Sequence, residues 1–237
     1  MRVLITRPRE DAEPLATALR AHGVESMIAP LIEIRNLDGP SLDLDGVQAL
    51  LATSANGVRA FAAREPARNL PVYAVGDATA RTARAEGFEA VKSASGNVAA
   101  LAALVRDRLD PSAGALTHLA GTKVAGDLSG MLRAAGFRYR REVLYEARAA
   151  DRLPTAVAEA FRDRSLQGIV MYSPRTAAIF VDLVRKAGLD GDCGFLSAFC
   201  LSRAVAERAS GITWKRVIVA AHSDQSAMVE AVSDGDK

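Results

Sequence analysis

The sequence places Ser, Thr, Asn and Gly where predicted strands end and predicted helices begin. At such a junction the unpaired backbone N–H groups and the helix dipole favour an anion by about 0.3–1 kcal/mol each. The same residue types cap helices, and capping alone explains any single loop of this kind. As a group, the loops favour anion binding over capping alone. They are Thr53-Ser54-Ala55-Asn56, Gly76-Asp77-Ala78-Thr79, Ser95-Gly96-Asn97, Ser173-Pro174-Arg175-Thr176 and Ser202-Arg203.

Four basic side chains occupy comparable loop positions: Arg7, Lys123, Arg175 and Arg203. In parallel sheets, ligands bind at the carboxyl ends of the strands. If two domains face each other, the loops would open on one cleft lined by hydroxyl, N–H and guanidinium groups. Such a cleft suits a ligand that carries several carboxylates or phosphates. The sequence therefore predicts a large polyanionic ligand.

Tyr145 differs in type from its counterpart in the first half of the chain, which is Ile32. A phenol is protonated at neutral pH, so in a linker that faces the cleft it could act as a general acid. Its ring could equally cover the apolar side of that linker. The residue chemistry alone leaves both interpretations open.

Several other chemistries lack the residues that they require. The three His and two Cys are too few and too scattered for a zinc site. The glycines around Lys123 do not form a P-loop, and no dinucleotide fingerprint follows the first strand. His222-Ser223-Asp224 contains the residue types of a catalytic triad, but adjacency in sequence is not triad geometry. We expect no metal and no cofactor, a buried Cys200, and an exposed Cys193 in a Gly-rich turn.

The 237 residues allow one large domain or two small ones, and a net charge of +2 argues against nucleic acid as a partner. No apolar run approaches the roughly 18 residues of a membrane span. Because no charged-then-apolar leader precedes the first predicted strand, we expect a cytoplasmic protein that does not contact a membrane. We also expect a monomer, since no long exposed apolar stripe is evident.

Short apolar strands alternate with amphipathic helices along the chain, which predicts an α/β fold with parallel sheets. The pattern repeats: Leu15 corresponds to Leu128, and Phe61 corresponds to Phe180. Two equivalent halves of four strand-loop-helix units fit best. Residues 31–35 and 143–147 alternate apolar and charged side chains, as half-exposed strands do. The polar stretches after them, 36–40 and 148–151, are the predicted linkers of two domains that the chain crosses twice.

Five motifs, in this order and spacing, are similar to those of the uroporphyrinogen-III synthase family. The resemblance spans nearly the whole chain. The motifs are Val3-Leu4-Ile5-Thr6-Arg7-Pro8, Thr53-Ser54-Ala55-Asn56-Gly57, Val75-Gly76-Asp77-Ala78-Thr79-Ala80, Ser95-Gly96-Asn97 and Val143-Leu144-Tyr145-Glu146.

The resemblance implies two doubly wound α/β domains, flavodoxin-like or Rossmann-like, joined by a two-stranded β linker. One domain would comprise 1–35 with 149–237, and 37–146 would form the inserted domain. The implied reaction closes linear hydroxymethylbilane, which carries eight carboxylates, to uroporphyrinogen III with loss of water and inversion of ring D. The resemblance implies a cofactor-independent lyase of heme biosynthesis that contacts the preceding pathway enzyme transiently.

The resemblance also assigns roles to single residues. Tyr145 matches a tyrosine that assists departure of the hydroxyl. Thr53, Ser54, Thr79 and Ser173 match positions that contact the acetate and propionate arms or line the cleft. Two departures stand out: Arg203 replaces a hydroxyl residue of some members, and the Gly121 loop lacks an Arg-Glu pair. The full predicted binding set is Arg7, Thr53, Ser54, Ala55, Asn56, Gly76, Asp77, Ala78, Thr79, Gly96, Asn97, Lys123, Ser173, Pro174, Arg175, Ser202 and Arg203.

Two other function classes fit the same loops. One is a two-domain module that binds a small anion without chemistry. The other is a nucleotide-sugar glycosyltransferase, which uridine nucleotide binding would favour.

Overall fold

The computed structural model describes residues 1–124 and 126–235 of the chain. The chain divides into two compact units. Unit 1 comprises Met1–Glu33 with Arg148–Lys237, and unit 2 comprises Ile34–Ala147. The domain bounds expected from the sequence, residues 1–35 with 149–237 and residues 37–146, stay a prediction.

Strands and helices alternate along the whole chain. The first half contains β1 (Arg2–Ile5), α1 (Arg9–Ala21), β2 (Glu25–Ile28), β3 (Ile32–Asn36), β4 (Val47–Ala52), α2 (Ala55–Arg64), β5 (Val72–Ala74), α3 (Asp77–Ala85), β6 (Val91–Ser93) and α4 (Val98–Arg108). The second half contains β7 (Ala115–Gly121), α5 (Leu128–Ala134), β8 (Arg138–Ala149), α6 (Thr155–Arg162), β9 (Gly168–Met171), α7 (Pro174–Lys186), a 3-10 helix (Gly191–Phe195), β10 (Ser197–Cys200), α8 (Arg203–Ala209), β11 (Arg216–Val219) and α9 (Gln225–Asp234).

The two sheets have the same strand order once the halves are aligned. One sheet runs β11-β10-β9-β1-β2 and the other β3-β8-β7-β4-β5-β6. The repeat pairs β1 with β7, β2 with β8, and β9, β10 and β11 with β4, β5 and β6. Each unit therefore takes one strand-helix-strand segment from one half of the chain and three strand-helix pairs from the other. Counted along the chain, the strand order of unit 1 is 2-1-3-4-5, as in flavodoxin-like folds, and that of unit 2 without its additional strand β3 is 3-2-1-4-5, as in Rossmann-like folds. The predicted doubly wound α/β class is confirmed.

Side chains alternate between the two faces of each sheet, and both faces are buried. In β1, Leu4 packs in one apolar cluster of unit 1, while Val3 and Ile5 pack in another. In β4, Leu50 and Leu51 likewise point into the two separate clusters of unit 2. Parallel sheets need this double cover because their helices lie on both faces. Each of these four clusters draws all of its members from one unit: two clusters belong to unit 1 and two belong to unit 2.

Glycines follow helices α1 and α5, which correspond to each other in the repeat. Gly23 follows α1 with a φ of +75°, and Gly136 follows α5 with a φ of +85°. This left-handed conformation strains side chains with a Cβ, so the repeat preserves glycine where the geometry requires it.

Strands β3 and β8 are neighbours in the sheet, and each contains a boundary between the units. The Ala150 N–H donates to the Leu31 carbonyl over 3.0 Å, and the Leu37 N–H donates to the Leu144 carbonyl over 2.9 Å. The two bonds pair residues in opposite chain order, so β3 runs antiparallel to β8.

The linker predicted over 148–151 starts directly after the unit boundary at Ala147, but its first two residues still belong to β8, because an exposed antiparallel ladder accommodates charged and small residues on its open face. One local prediction is wrong. Cys193, predicted to be exposed, is fully buried: the 3-10 helix turns its thiol inward against the apolar cluster around Phe180. Burial raises the pKa of this thiol to about 12. Cys200 is buried as predicted.

Within the described residues, no helix is both long enough and apolar enough to cross a membrane.

Candidate functional site

In each sheet, the chain adds successive strands first towards one edge and then towards the other, so the strand order reverses at one point. This point lies between β4 and β7 in unit 2 and between β1 and β9 in unit 1. In doubly wound folds, ligands bind outside the carboxyl ends of the strands at such a switch point. The predicted binding residues follow these four strands and the neighbouring β5, β6 and β10.

The strand-to-helix loops of unit 2 are shorter than predicted. Ser54 is the N-cap of α2, and its Oγ accepts a hydrogen bond from the Asn56 N–H over 3.2 Å. Asn97 caps α4 in the same way by accepting from Ala100 over 3.1 Å. The predicted loop residues Ala55, Asn56, Asp77, Ala78 and Thr79 lie in the first turns of α2 and α3, because Ser54 and Gly76 already start these helices.

Thr79 is nearly buried, with 6 % of its surface exposed, whereas Gly96 and Asn97 are exposed.

Thr53 is joined to a buried pair of side chains that are absent from the predicted binding set. Its Oγ1 lies 2.9 Å from His118 Nε2, and His118 Nδ1 lies 2.5 Å from the Tyr139 hydroxyl. His118 is 2 % exposed, and burial, reinforced by the Arg141 cation, lowers its pKa to about 4. Burial raises the pKa of Tyr139 to about 12. The imidazole is therefore neutral and the phenol protonated at physiological pH.

The sequence does contain a signal for His118. It is a polar residue in the middle of Leu116-Thr117-His118-Leu119-Ala120, a stretch that otherwise predicts a buried strand. Its partners, Thr53 immediately after β4 and Tyr139 on β8, are brought to it only by tertiary pairing.

Tyr145 lies across the last residue of β7. The β7–β8 register shifts between Ala120 and Gly121, which brings Gly121 opposite Tyr145. A Cβ on Gly121 would lie 2.7 Å from Cζ of the Tyr145 ring and 3.1 Å from its hydroxyl oxygen. The residue is 8 % exposed and packs with the cluster that contains Leu119 and Leu144. The ring thus contributes to the core while its hydroxyl lies beside the backbone at the carboxyl end of β7.

Arg141 holds the loop that follows β7. Its Nη2 donates to the carbonyls of Gly121 and Thr122 over 2.7 and 3.0 Å. The Thr122 N–H donates in turn to the Tyr145 carbonyl over 3.0 Å. Lys123 follows and is exposed, and Ala125 in the same glycine-containing loop lies outside the described residues.

Asp77, which the sequence predicts to bind the ligand, forms a hydrogen bond to another residue of unit 2. Its Oδ1 accepts a hydrogen bond from the Ser95 hydroxyl over 2.9 Å, so the first turn of α3 is tied to the loop after β6. Hydrogen bonds from Ser93 and Ser95 lower the pKa of this carboxyl. Ser95 adopts a φ of +48°, which is uncommon for a residue with a Cβ.

In unit 1, Arg7 follows β1 and lies over the Tyr172 ring, with 4.0 Å from its Cζ to the ring centroid. It also pairs with Asp11 over 3.3 Å. Burial raises the pKa of Tyr172 to about 12. Stacking on the aromatic ring holds the guanidinium at the β1–β9 switch point of this unit.

The remaining predicted residues of unit 1 start helices. Ser173 Oγ accepts from the Thr176 N–H over 3.1 Å, and Pro174 and Arg175 open α7. Ser202 precedes α8 without forming a capping hydrogen bond through its side chain, and the exposed Arg203 is the first residue of that helix.

The arrangement is suited to binding anions. Each unit presents helix N-termini, hydroxyl groups and at least one cation at the carboxyl ends of its strands. Among the described residues, His, Cys, Asp and Glu form no group of three that could hold a metal ion. The structure brings Thr53, Ser54, Gly121 and Tyr145 to the ends of β4 and β7 in unit 2, and Arg7 and Ser173 to the ends of β1 and β9 in unit 1.

A family model described as Uroporphyrinogen-III synthase HemD matches residues 13–230. A Putative uroporphyrinogen-III synthase of Methanocaldococcus jannaschii is 33% identical over 88 residues, which are 35% of this chain. The match spans about a third of that relative's length, 37%.

Two solved structures cover 100% of this chain and are themselves covered in full. A mutant uroporphyrinogen III synthase from the extremely thermophilic bacterium Thermus thermophilus is 17% identical with a TM-score of 0.58. The uroporphyrinogen-III synthetase of Helicobacter pylori 26695 is 16% identical with a TM-score of 0.63. At these identities the likeness shows the fold.

Proposed function

Because the chain belongs to the uroporphyrinogen-III synthase family, we propose that it converts linear hydroxymethylbilane to uroporphyrinogen III. The reaction removes the terminal hydroxyl as water, closes the macrocycle and inverts ring D. The chain would then be a cofactor-independent lyase of heme biosynthesis that acts in the cytoplasm. Neither a small-anion binding module nor a glycosyltransferase is needed to explain the loops.

The observation that best supports the chemical step is the position of Tyr145. Its hydroxyl lies beside Gly121 at the carboxyl end of β7, and in doubly wound folds ligands bind outside the carboxyl ends of the strands. We propose that this phenol donates a proton as the substrate C–O bond breaks, so that water leaves. The resulting azafulvene is an electrophile, which the substituted carbon of the last pyrrole ring attacks to form a spiro intermediate.

Positioning determines the product of this reaction. The same reactive chain closes without an enzyme to the isomer in which ring D is not inverted. Holding the substrate bent, with the substituted carbon near the electrophile, favours the inverted product because orientation can lower a barrier by several kcal/mol.

We propose that the carboxylates of the substrate bind at the strand ends described above. Arg7, Lys123, Arg175 and Arg203 would supply charge, while Thr53, Ser54, Ser173 and Ser202 would supply hydroxyl groups. Backbone N–H groups at the starts of α2, α3 and α4 would complete the set, at Ala55, Gly76, Ala78 and Asn97. The N–H groups of Asn56 and Gly96 already donate to Ser54 Oγ and the Val75 carbonyl, and Pro174 has none, so these three residues would line the site.

Asp77 and Thr79 take a different part in this proposal. A carboxylate repels a polycarboxylate, so we propose that Asp77 orients Ser95 rather than contacting the substrate. Thr79 is buried and would support the first turn of α3.

The experiment that tests the activity supplies the protein with freshly prepared hydroxymethylbilane and separates the oxidised products by chromatography. We expect isomer III with the protein and isomer I in a control without it. Isomer I alone in both samples would contradict the proposed activity. Size-exclusion chromatography with light scattering on the protein alone tests whether it is a monomer. The same measurement with the enzyme that supplies hydroxymethylbilane added tests for transient contact between the two proteins.

A further inference from the structure

Three side chains form a hydrogen-bonded line that runs from the core of unit 2 to the end of β4. Tyr139 on β8 contacts His118 on β7, and His118 contacts Thr53 immediately after β4. Tyr139 and His118 are 8 % and 2 % exposed, while Thr53 is partly exposed. The line therefore ends at the switch point where unit 2 presents its predicted binding residues.

The surroundings of Tyr139 determine which atom carries each proton. Arg133 and Arg141 lie near the phenol and can only donate hydrogen bonds. The nearby Asp127 carboxylate caps α5 by accepting from the Gly130 N–H over 2.8 Å. Among the described residues, the only hydrogen-bond acceptor at the Tyr139 hydroxyl is His118 Nδ1. Tyr139 thus donates to Nδ1.

The tautomer of His118 follows from that bond. A neutral imidazole that accepts at Nδ1 carries its proton on Nε2. Nε2–H then donates to Thr53 Oγ1 over 2.9 Å. A hydroxyl that accepts this bond keeps its own proton for another acceptor, and Thr53 has no second side-chain partner in the part of the chain that the structure describes.

The line has no equivalent in the other half of the repeat. The counterparts of Thr53, His118 and Tyr139 are Tyr172, Ile5 and Ser26. Ile5 is fully buried in an apolar cluster, which shows that this strand position does not need a polar residue for folding.

We propose that His118 is a positioning residue: held as the Nε2–H tautomer by Tyr139, it directs the Thr53 hydroxyl proton outward to a carboxylate of the substrate. This inference rests on the proposed function, since it takes Thr53 as a contact of hydroxymethylbilane. It adds to that function a residue that sets the donor direction of the contact.

The tautomer is measurable without any substrate. In protein labelled with ¹⁵N-histidine, we expect the signals of His118, identified by their loss in His118→Gln, to show an unprotonated Nδ1 and a protonated Nε2. An Nδ1–H tautomer in the wild-type protein would overturn the inference whatever the activity. In Tyr139→Phe, which removes the donor, we expect the Nε2–H tautomer to lose its dominance.

Kinetics test the effect on the substrate. A hydrogen bond to a charged group, when lost, changes affinity roughly tenfold or more. We therefore expect Thr53→Val and His118→Leu each to raise KM about tenfold with a smaller change in kcat. We expect His118→Gln, which keeps an amide N–H donor towards Thr53, to recover most of the affinity. His22→Gln, at the exposed end of α1, is the matched control and should leave KM unchanged.

A double-mutant cycle separates positioning from simple packing. If His118 acts through Thr53, then Tyr139→Phe and His118→Leu raise KM in the wild-type background but change it less than about twofold in Thr53→Val. Equal effects in both backgrounds would overturn the inference. Tyr139→Phe keeps the ring, so this arm remains informative if His118→Leu does not fold.

Failure of the inference and failure of the proposed function give different results. Formation of isomer I alone in the presence of the wild-type protein would contradict the proposed function. Isomer III formation with an unchanged KM in Thr53→Val removes the carboxylate contact and this inference with it. A raised KM in Thr53→Val alone, with His118→Leu and Tyr139→Phe unaffected, removes only the positioning role.

Discussion

Tyr145 combines a packing role with the position proposed for the proton donor in one side chain. Its ring belongs to an apolar cluster of unit 2, and its hydroxyl lies beside Gly121 at the end of β7. The two interpretations left open by its residue type are therefore compatible, because opposite ends of the side chain serve them.

Tyr145→Phe keeps the ring and removes the hydroxyl. We expect the fold and the melting temperature to change little, and the initial rate of isomer III formation to fall about a hundredfold, in the lower range for a lost general acid. Circular dichroism and product chromatography measure the two effects. An unimpaired rate would remove Tyr145 from the mechanism.

His118 predicts a pH dependence of stability. Its pKa is lowered from 6.5 to about 4 in the folded protein, mainly by burial. Below pH 6.5 the unfolded chain binds a proton at this residue that the folded chain does not, so stability falls as the pH falls from 6.5 to about 4. Over this window the contribution of His118 amounts to about 3 kcal/mol.

Urea unfolding at about pH 7 and about pH 4.5 tests this, with His118→Gln as the comparison, because carboxylates titrate alike in both proteins. We expect the wild-type protein to lose at least about 2 kcal/mol more than the variant between the two pH values. Parallel pH profiles would contradict the assignment of a depressed pKa to His118.

At the scale of secondary structure elements, the end of β7 depends on a residue without a side chain. The register shift next to Gly121 places the Tyr145 ring where a Cβ would otherwise lie. Arg141 on β8 then holds the following loop through two backbone carbonyls. The position of the phenol is thus a property of the β7–β8 pair.

Gly121→Ala should disturb both the core and the reaction. The added methyl group would lie 2.7 Å from Cζ of Tyr145, so the ring must move. We expect a loss of about 1–3 kcal/mol in the free energy of unfolding, as for other overpacked sites, together with a rate loss that approaches that of Tyr145→Phe. Urea unfolding and product chromatography measure the two losses.

The matched control is Gly191→Ala, where an added Cβ meets no atom within 4 Å. It should change neither quantity. Full stability and full activity in Gly121→Ala would show that the Tyr145 ring does not need this space.

At the scale of the whole molecule, the chain forms each unit from both of its halves. The antiparallel register of β3 and β8 places Glu33 opposite Arg148, so the ends of the two segments of unit 1 are adjacent. Because the apolar clusters draw their members from single units, we predict that each unit folds alone.

Two shortened chains test this prediction. One comprises residues 34–147, and the other joins Glu33 to Arg148 through Asn-Gly, a two-residue hairpin turn. We expect a cooperative urea transition for each chain and no formation of isomer III by either alone, since the proposed binding residues are divided between the units. A chain that lacks a cooperative transition would show that its unit is not an independent domain.

The amino-acid sequence by itself determined the fold class, the repeat and the family. Buried strands, helix N-caps and the glycines after α1 and α5 are local features, and their order along the chain carries the resemblance that the family match confirms. The sequence pattern predicts helix starts a few residues late, because Ser54 and Gly76 start helices directly after their strands. It also predicts an exposed Cys193, which is wrong because a glycine-rich segment can still form a compact 3-10 turn.

Tertiary structure alone decided the contacts between residues that are far apart in the chain. The line from Thr53 to His118 to Tyr139 joins β4, β7 and β8, and the position of Tyr145 across Gly121 depends on a register shift between two strands. Periodicity and capping act within a few residues and predict the elements themselves. Strand order and register follow from packing between distant segments, so only the formed sheet brings His118 and Gly121 to their partners.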